Sequence, residues 1–304
     1  MSWVAVVLAG VALAALLSVL DKTVIHRYAR MPYLQPLVIG ITMMLIGLPL
    51  LAMTGIPSSA TYEAVLWAIA SGVCYGLGTH ILVYTLYRQE VSRVIPVYQT
   101  YPIFTALIAF FFLGERLGAF EWLAMLAVVG GAVLLSFRRD ESGCGFLLDR
   151  AFLVLMLGSA IEGSSFVFGK SAVNDLPVLF THALRLISLG SVLLALNLRR
   201  RSLEQVLWFV RTRSPALKYV ALNQLIISNA SQFLFLWALA LGPTILVTAL
   251  SGLRAFFVVV YAIVLARVWR GALGEVTTPA TITVKLFSSV LIVGGVTVIA
   301  LGSG

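Results

Sequence analysis

Between Arg88 and Arg139 the chain reads RQEVSRVIPVYQTYPIFTALIAFFFLGERLGAFEWLAMLAVVGGAVLLSFRR. Two apolar runs, Val94–Leu113 and Leu117–Phe137, are split only by the polar turn GERLG. About 20 apolar residues in a helix cross the hydrocarbon core of a bilayer, so each run is long enough to span one. The first run also holds Pro96, Tyr98, Gln99, Tyr101 and Pro102. Prolines and polar groups at that depth are tolerated where other helices or water complete their hydrogen bonds. This helix is therefore expected to line a cavity rather than face lipid.

The rest of the chain repeats the pattern. Ten spans are read, at Trp3–Ile25, Leu34–Met53, Glu63–Tyr87, Val94–Leu113, Leu117–Phe137, Ala151–Ser171, Val178–Leu198, Tyr219–Leu241, Gly242–Ala266 and Thr281–Leu301. Only 11% of residues are charged, against about 25% in a soluble domain, so the fold class is an all-α polytopic membrane protein. The opening MSWVAVVLAGVALAALLSVL lacks a basic flank and an obvious cleavage site, and is expected to be a retained helix. Cys74 inside a span and Cys144 in a linker give no disulfide framework. Between spans seven and eight, Leu203, Val206, Leu207 and Val210 recur at helical spacing among arginines. Residues 199–216 are read as an amphipathic segment on the membrane surface.

A net charge of +9 suits a nucleic-acid partner, but its placement argues against one. The loops after spans one, three, five, seven and nine hold 16 Lys and Arg, whereas the opposite face holds Arg116 and Lys170. The positive-inside rule puts the 16 in the cytoplasm and both termini outside. The chain also repeats itself weakly. Lys22 closes span one and Lys170 closes span six; Gly130-Gly131 and Gly294-Gly295 fall in spans five and ten; residues 80–115 align without gaps to 232–267. An odd number of spans per copy forces the second copy to insert upside down, and inverted repeats with a midplane site between them are a transporter signature.

The order VSRVIPV…YPIFTALIAFFFLGERL…WLAMLAVVGGAVLLS resembles the fourth and fifth helices of the EamA family, in the drug/metabolite transporter superfamily. The resemblance implies a fold of two inverted five-helix repeats. Residues 1–139 are the expected first repeat, 140–150 a cytoplasmic linker and 151–304 the second repeat. It also implies a central cavity lined by spans one, three, four, six, eight and nine. Many relatives are thought to have their termini inside, opposite to what the charges give here.

Ionisable groups deep in a span default to functional hypotheses. Glu162 lies eleven residues into span six among Gly158, Ser159, Gly163, Ser164 and Ser165. The run AIEGSSFVFGK resembles the first helix of the small multidrug resistance proteins, where a glutamate precedes a lysine by eight residues, as Glu162 precedes Lys170. That resemblance implies a carboxylate for which protons and cations compete. The first repeat has Ala14 at this position. Arg254 lies near midplane in span nine, opposite Pro102 in the alignment. A guanidinium stays charged at any ordinary pH, so its expected partner is Glu162 or an anionic group on a substrate. A Glu162–Arg254 pair that only fixes helix packing is the plain alternative. Arg254 also disfavours an organic cation, which tilts the reading toward anionic or zwitterionic metabolites.

His182 and Arg185 share a face of span seven; both are read as structural, with Arg185 snorkelling toward the interface. His80, Tyr84, Tyr98, Gln99 and Tyr101 are candidate lining residues of spans three and four, with Asn229, Gln232, Ser251 and Arg254 as counterparts in spans eight and nine. Lys22 and Lys170 complete the candidate set. Each polar residue has an ordinary alternative as a bond between helices. Gly72-xxx-Gly76 reads as a close-packing motif, and Glu115 as a structural part of the Gly-Glu turn. The sequence has no phosphate-binding glycine loop, zinc spacing or Ser-His-Asp arrangement in a suitable context, so no cofactor, metal or enzymatic activity is expected.

The expected protein is a monomeric, multi-pass transporter of the plasma (inner) membrane. It moves a small polar metabolite by alternating access, with protons or an exchange partner driving it. A flippase or carrier of a lipid-linked anion and a proton-coupled exporter of organic cations are the alternatives.

Overall fold

The computed structural model describes residues 2–27, 33–88, 94, 97–116, 118–136, 150–213, 217–218, 221–254, 256–258, 260–261 and 294. They are helical almost throughout. The elements are α1 (Trp3–Arg27), α2 (Leu34–Thr54), α3 (Tyr62–Leu86), α4 (Tyr101–Phe112), α5 (Ala119–Ser136), α6 (Arg150–Asp175), α7 (Val178–Asn197) and α8 (Arg200–Arg211). A π-helical segment, Ala221–Ser228, leads into α9 (Asn229–Leu241), and α10 (Thr244–Leu250) follows. Among the described residues five helices are long and apolar enough to cross a membrane: Leu34–Thr54, Tyr62–Leu86, Phe152–Asp175, Val178–Asn197 and Ala221–Leu241. Span ten apart from Gly294, span nine beyond Tyr261 and residues 140–149 of the linker lie outside the described residues.

Small residues decide which helices touch. Helix α3 packs against α6 and α7, α2 against α7, α1 against α9, and α4 against α6 and α10. At Gly72 an added Cβ would stand 2.5 Å from the carbonyl oxygen of Arg185, and at Gly76 it would stand 3.0 Å from Val192 Cβ. The Gly72-xxx-Gly76 pair thus brings the backbones of α3 and α7 together, as small residues do between membrane helices. Hydroxyls tie α3 to α6 reciprocally: Ser71 Oγ donates to the Ser165 carbonyl (2.7 Å) and Ser165 Oγ to the Ser71 carbonyl (2.8 Å). The largest buried apolar cluster gathers Val7 and Val11 of α1, Ala106 of α4, Met125 of α5, Val167 of α6, Leu236 and Leu239 of α9, and Ile245 to Leu250 of α10.

The helix read from sequence as one run over Val94–Leu113 is interrupted. Gln99 and Thr100 form a turn, and α4 begins only at Tyr101 with Pro102 in its first turn. Proline has no N–H to return to the carbonyl four residues back, here Tyr98. The hydroxyl of Ser159 on α6 donates to that carbonyl instead, at 3.2 Å. A second turn, at Ser251-Gly252, ends α10, and helical backbone resumes at Leu253-Arg254. Helix α8 shows Leu207, Trp208 and Val210 to the outside among exposed arginines.

Candidate substrate site

Glu162 sits halfway along α6 and is buried, with 6% of its surface exposed. Two features make room for its carboxylate. Across from it α3 carries Gly78, where a Cβ would stand 2.6 Å from Glu162 Oε2 and 3.0 Å from the Tyr98 hydroxyl. Beside it, the turn before α4 brings in Tyr98, whose hydroxyl donates to Glu162 Oε2 at 3.0 Å. At the next residue of α6, Gly163 lies against the backbone of α4, where an added Cβ would stand 3.0 Å from the Tyr101 carbonyl oxygen. Tyr101 stacks on Phe166, ring centroids 5.4 Å apart, and its hydroxyl donates to Ser251 Oγ. The two interrupted helices therefore meet at this bond, next to the buried acid.

Two guanidiniums approach the same place. Arg254, half-buried beyond the Ser251-Gly252 turn, donates from Nε (2.9 Å) and Nη2 (2.7 Å) to Ser18 Oγ of α1. Of the partners expected for Arg254, Glu162 is not in contact: among the described residues the pair makes no salt bridge. Ser18 takes that place, while Glu162 Oε2 accepts from Tyr98. Arg185 departs further from expectation. It does not snorkel: only 4% of it is exposed, its Nη2 donates to Ser165 Oγ at a long 3.4 Å, and among the described residues its Nε has no hydrogen-bond partner. The charge lies 5.4 Å from the centre of the Tyr75 ring. Both Arg185 and Arg254 lie within Coulombic reach of Glu162.

The other candidates separate into distinct groups. His80 accepts a hydrogen bond from Asn197 Nδ2 (3.1 Å) and stacks on Tyr84, which also faces Tyr33 and lies 4.2 Å beneath the Arg88 guanidinium. Asn229 accepts from His182 Nε2 at 2.6 Å. Gln232 donates to Ser228 Oγ at 3.2 Å. Gln99 is half-buried in the turn before α4. Lys170 donates to the carbonyls of Leu239 (2.7 Å) and Gly242 (3.1 Å), closing the C-terminal end of α9. Glu115 takes the complementary end: its two oxygens accept from the backbone N–H groups of Thr244 (2.8 Å) and Ile245 (3.0 Å), capping α10 from the turn after α4. Lys22 lies in α1, its side chain outside those described. Among the described residues no three His, Cys, Asp or Glu come together as a metal site would require.

Sequence reading gave Arg185 a structural role and passed over Ser18 and Gly78. A signal for the first was present, since an arginine eight residues into the 20-residue α7 is too deep to reach either interface easily.

A buried acid and two cations thus lie between broken helices, in a bundle whose helices are long and apolar enough to cross a membrane. The EamA-like transporter family model matches residues 1–137, so this part of the chain is an EamA-family domain, in a family of transporters rather than enzymes. The chain is thus a multi-pass integral membrane protein. None of the curated proteins matches it. Among solved structures, one titled only as the crystal structure of a protein shares the fold with a TM-score of 0.68. The match is 16% identical and covers 99% of this chain and 96% of the other.

Proposed function

We propose that the protein is a secondary-active transporter that moves a small polar metabolite, amino-acid-like or organic-anion-like, by alternating access of two inverted five-helix repeats. Glu162 is the proton- or substrate-coupling residue and Arg254 the anion anchor. The observation that carries the reading is the meeting of two interrupted helices beside a buried carboxylate. Discontinuous helices near the midplane expose backbone and polar groups to a substrate without exposing them to lipid.

The repeat reading draws support from two regularities. The turns at Gln99-Thr100 and Ser251-Gly252 fall at the same place in the alignment of 80–115 with 232–267. The packing of α1 on α9 and of α3 on α6 also exchange with one another when spans one to five are mapped onto six to ten. Handling of a lipid-linked anion is a second reading, favoured by an open apolar groove between α2 and α7 lined by Ile41, Met44, Leu48, Pro49 and Leu194.

Thermal stabilisation of the purified protein tests both, because a ligand that binds only the folded state raises its apparent stability. The panel is amino acids, organic acids, phosphorylated metabolites and organic cations. The expected result is stabilisation by an anionic or zwitterionic class, lost in Arg254→Ala. Stabilisation by cations in competition with protons transfers the site to Glu162 alone. Silence across the panel with a shift by anionic lipid favours the second reading. In liposomes, transport and pH dependence both unchanged in Glu162→Gln refute the role given to Glu162.

A further inference from the structure

We infer that Arg185 is a second cation of the substrate site, and that the site takes a small organic anion without an ammonium group, bound together with a proton on Glu162. The inference rests on the transporter reading and adds to it the substrate's charge and the direction of coupling.

The argument begins with the cost of Arg185. A guanidinium held away from water needs a counter-charge or a full set of hydrogen-bond acceptors. Among the described residues Arg185 has neither in contact. Its Nε is orphaned, its one hydrogen bond to Ser165 is long, and the face of Tyr75 supplies only a weak attraction. Among the described residues no carboxylate lies within salt-bridge distance of it. Helix packing alone does not account for the residue, because a Leu or Met in the same volume packs without that penalty. An acceptor brought in by a ligand completes it.

The charges that face Glu162 then decide the sign of coupling. From α3 come Cys74 and Tyr75, from the α4 entrance Tyr98 and Tyr101, from α7 Arg185, and from beyond α10 Arg254. With the thiol and the phenols neutral, the charged members are two guanidiniums and one carboxylate. The site carries a net charge of +1 with Glu162 ionised and +2 with Glu162 protonated. An anion is attracted more strongly to the second form. By linkage, whatever the proton does for the anion, the anion does equally for the proton. Anion and proton therefore enter together and move in the same direction. An ammonium group reverses this, since it seeks the ionised carboxylate and expels the proton.

The experiment reads that sign directly. Purified protein in weak buffer with a pH indicator receives succinate, pyruvate or acetate, each matched in pH, with binding followed by thermal shift. The expected result is proton uptake on binding, and an apparent affinity that strengthens by up to about tenfold for each unit the pH falls. Glu162→Gln is expected to bind the same anion without proton uptake. Arg185→Gln is expected to lose about tenfold or more in affinity, while Arg185→Lys, which keeps the charge and guards against simple misfolding, stays within a few-fold. Proton release or no proton change on binding overturns the inference and leaves the transporter reading intact, as does wild-type affinity in Arg185→Gln. Binding of none of the three anions, with an amino acid or a cation bound instead, also overturns it. If nothing in the wider panel binds, the transporter reading itself falls.

Discussion

Replacing Gly78 by alanine separates the site from the fold. The added Cβ would stand 2.6 Å from Glu162 Oε2 and 3.0 Å from the Tyr98 hydroxyl. Both atoms are the free ends of side chains that can rotate away, so the helices need not part. What is lost is the hydrogen bond between the two groups, 3.0 Å long and buried. Hydrogen bonds to charged groups contribute about 1.5–3 kcal/mol, so a substrate that depends on this arrangement should bind roughly 10- to 150-fold more weakly. Gly72→Ala is the control. There the Cβ would stand 2.5 Å from the backbone oxygen of Arg185 and 2.7 Å from Ser188 Cβ, and α3 and α7 must move apart. Overpacking of that kind costs about 1–3 kcal/mol of stability. Melting curves of both variants, with and without the ligand found by the panel, separate the effects. Both variants should melt lower without ligand, Gly78→Ala through the lost hydrogen bond and Gly72→Ala through overpacking, but Gly78→Ala alone should lose most of the ligand-induced shift. A full ligand shift in Gly78→Ala refutes the placement of substrate at Glu162.

Two further outcomes follow from single bonds. Ser159→Ala leaves the Tyr98 carbonyl, which Pro102 cannot serve, without its donor; an unsatisfied buried acceptor costs about 1–3 kcal/mol, readable as a lowered melting temperature. Glu115→Ala removes the acceptor for two N–H groups at the start of α10. Loss of a cap costs about 0.5–2 kcal/mol, and a cysteine placed at Thr244 in that background should label faster than in the wild-type background.

The class of fold was legible because length and apolarity of a run answer directly to the thickness of a bilayer. Rotation of each helix was not. Lipid and protein interior are both apolar, so a membrane helix carries little amphipathic signal to tell its inner from its outer face. That is why Arg185 reads as snorkelling and lies buried, and why the separate partners of His80 with Tyr84, of Asn229 and of Gln232 could not be read from sequence. The interruption before α4 was half visible. Pro102 announces a break, but whether the chain bends or restarts depends on the donor that meets the freed carbonyl. That donor is Ser159, on another helix and 61 residues away from Tyr98. Gly78 was illegible for a related reason: a glycine in a helix acquires meaning only from what lies opposite.

The capping of α10 by Glu115 bears on the order of synthesis. Its acceptor oxygens leave the ribosome 129 and 130 residues before the N–H groups they bind. At about 5–20 residues per second, the Gly-Glu turn waits roughly 6 to 26 s with its carboxylate unclaimed. The first 137 residues, the extent of the EamA-family domain, thus reach the membrane with one contact reserved for a helix not yet made. Release of that waiting carboxylate from water into the cap marks the moment at which α10 has docked.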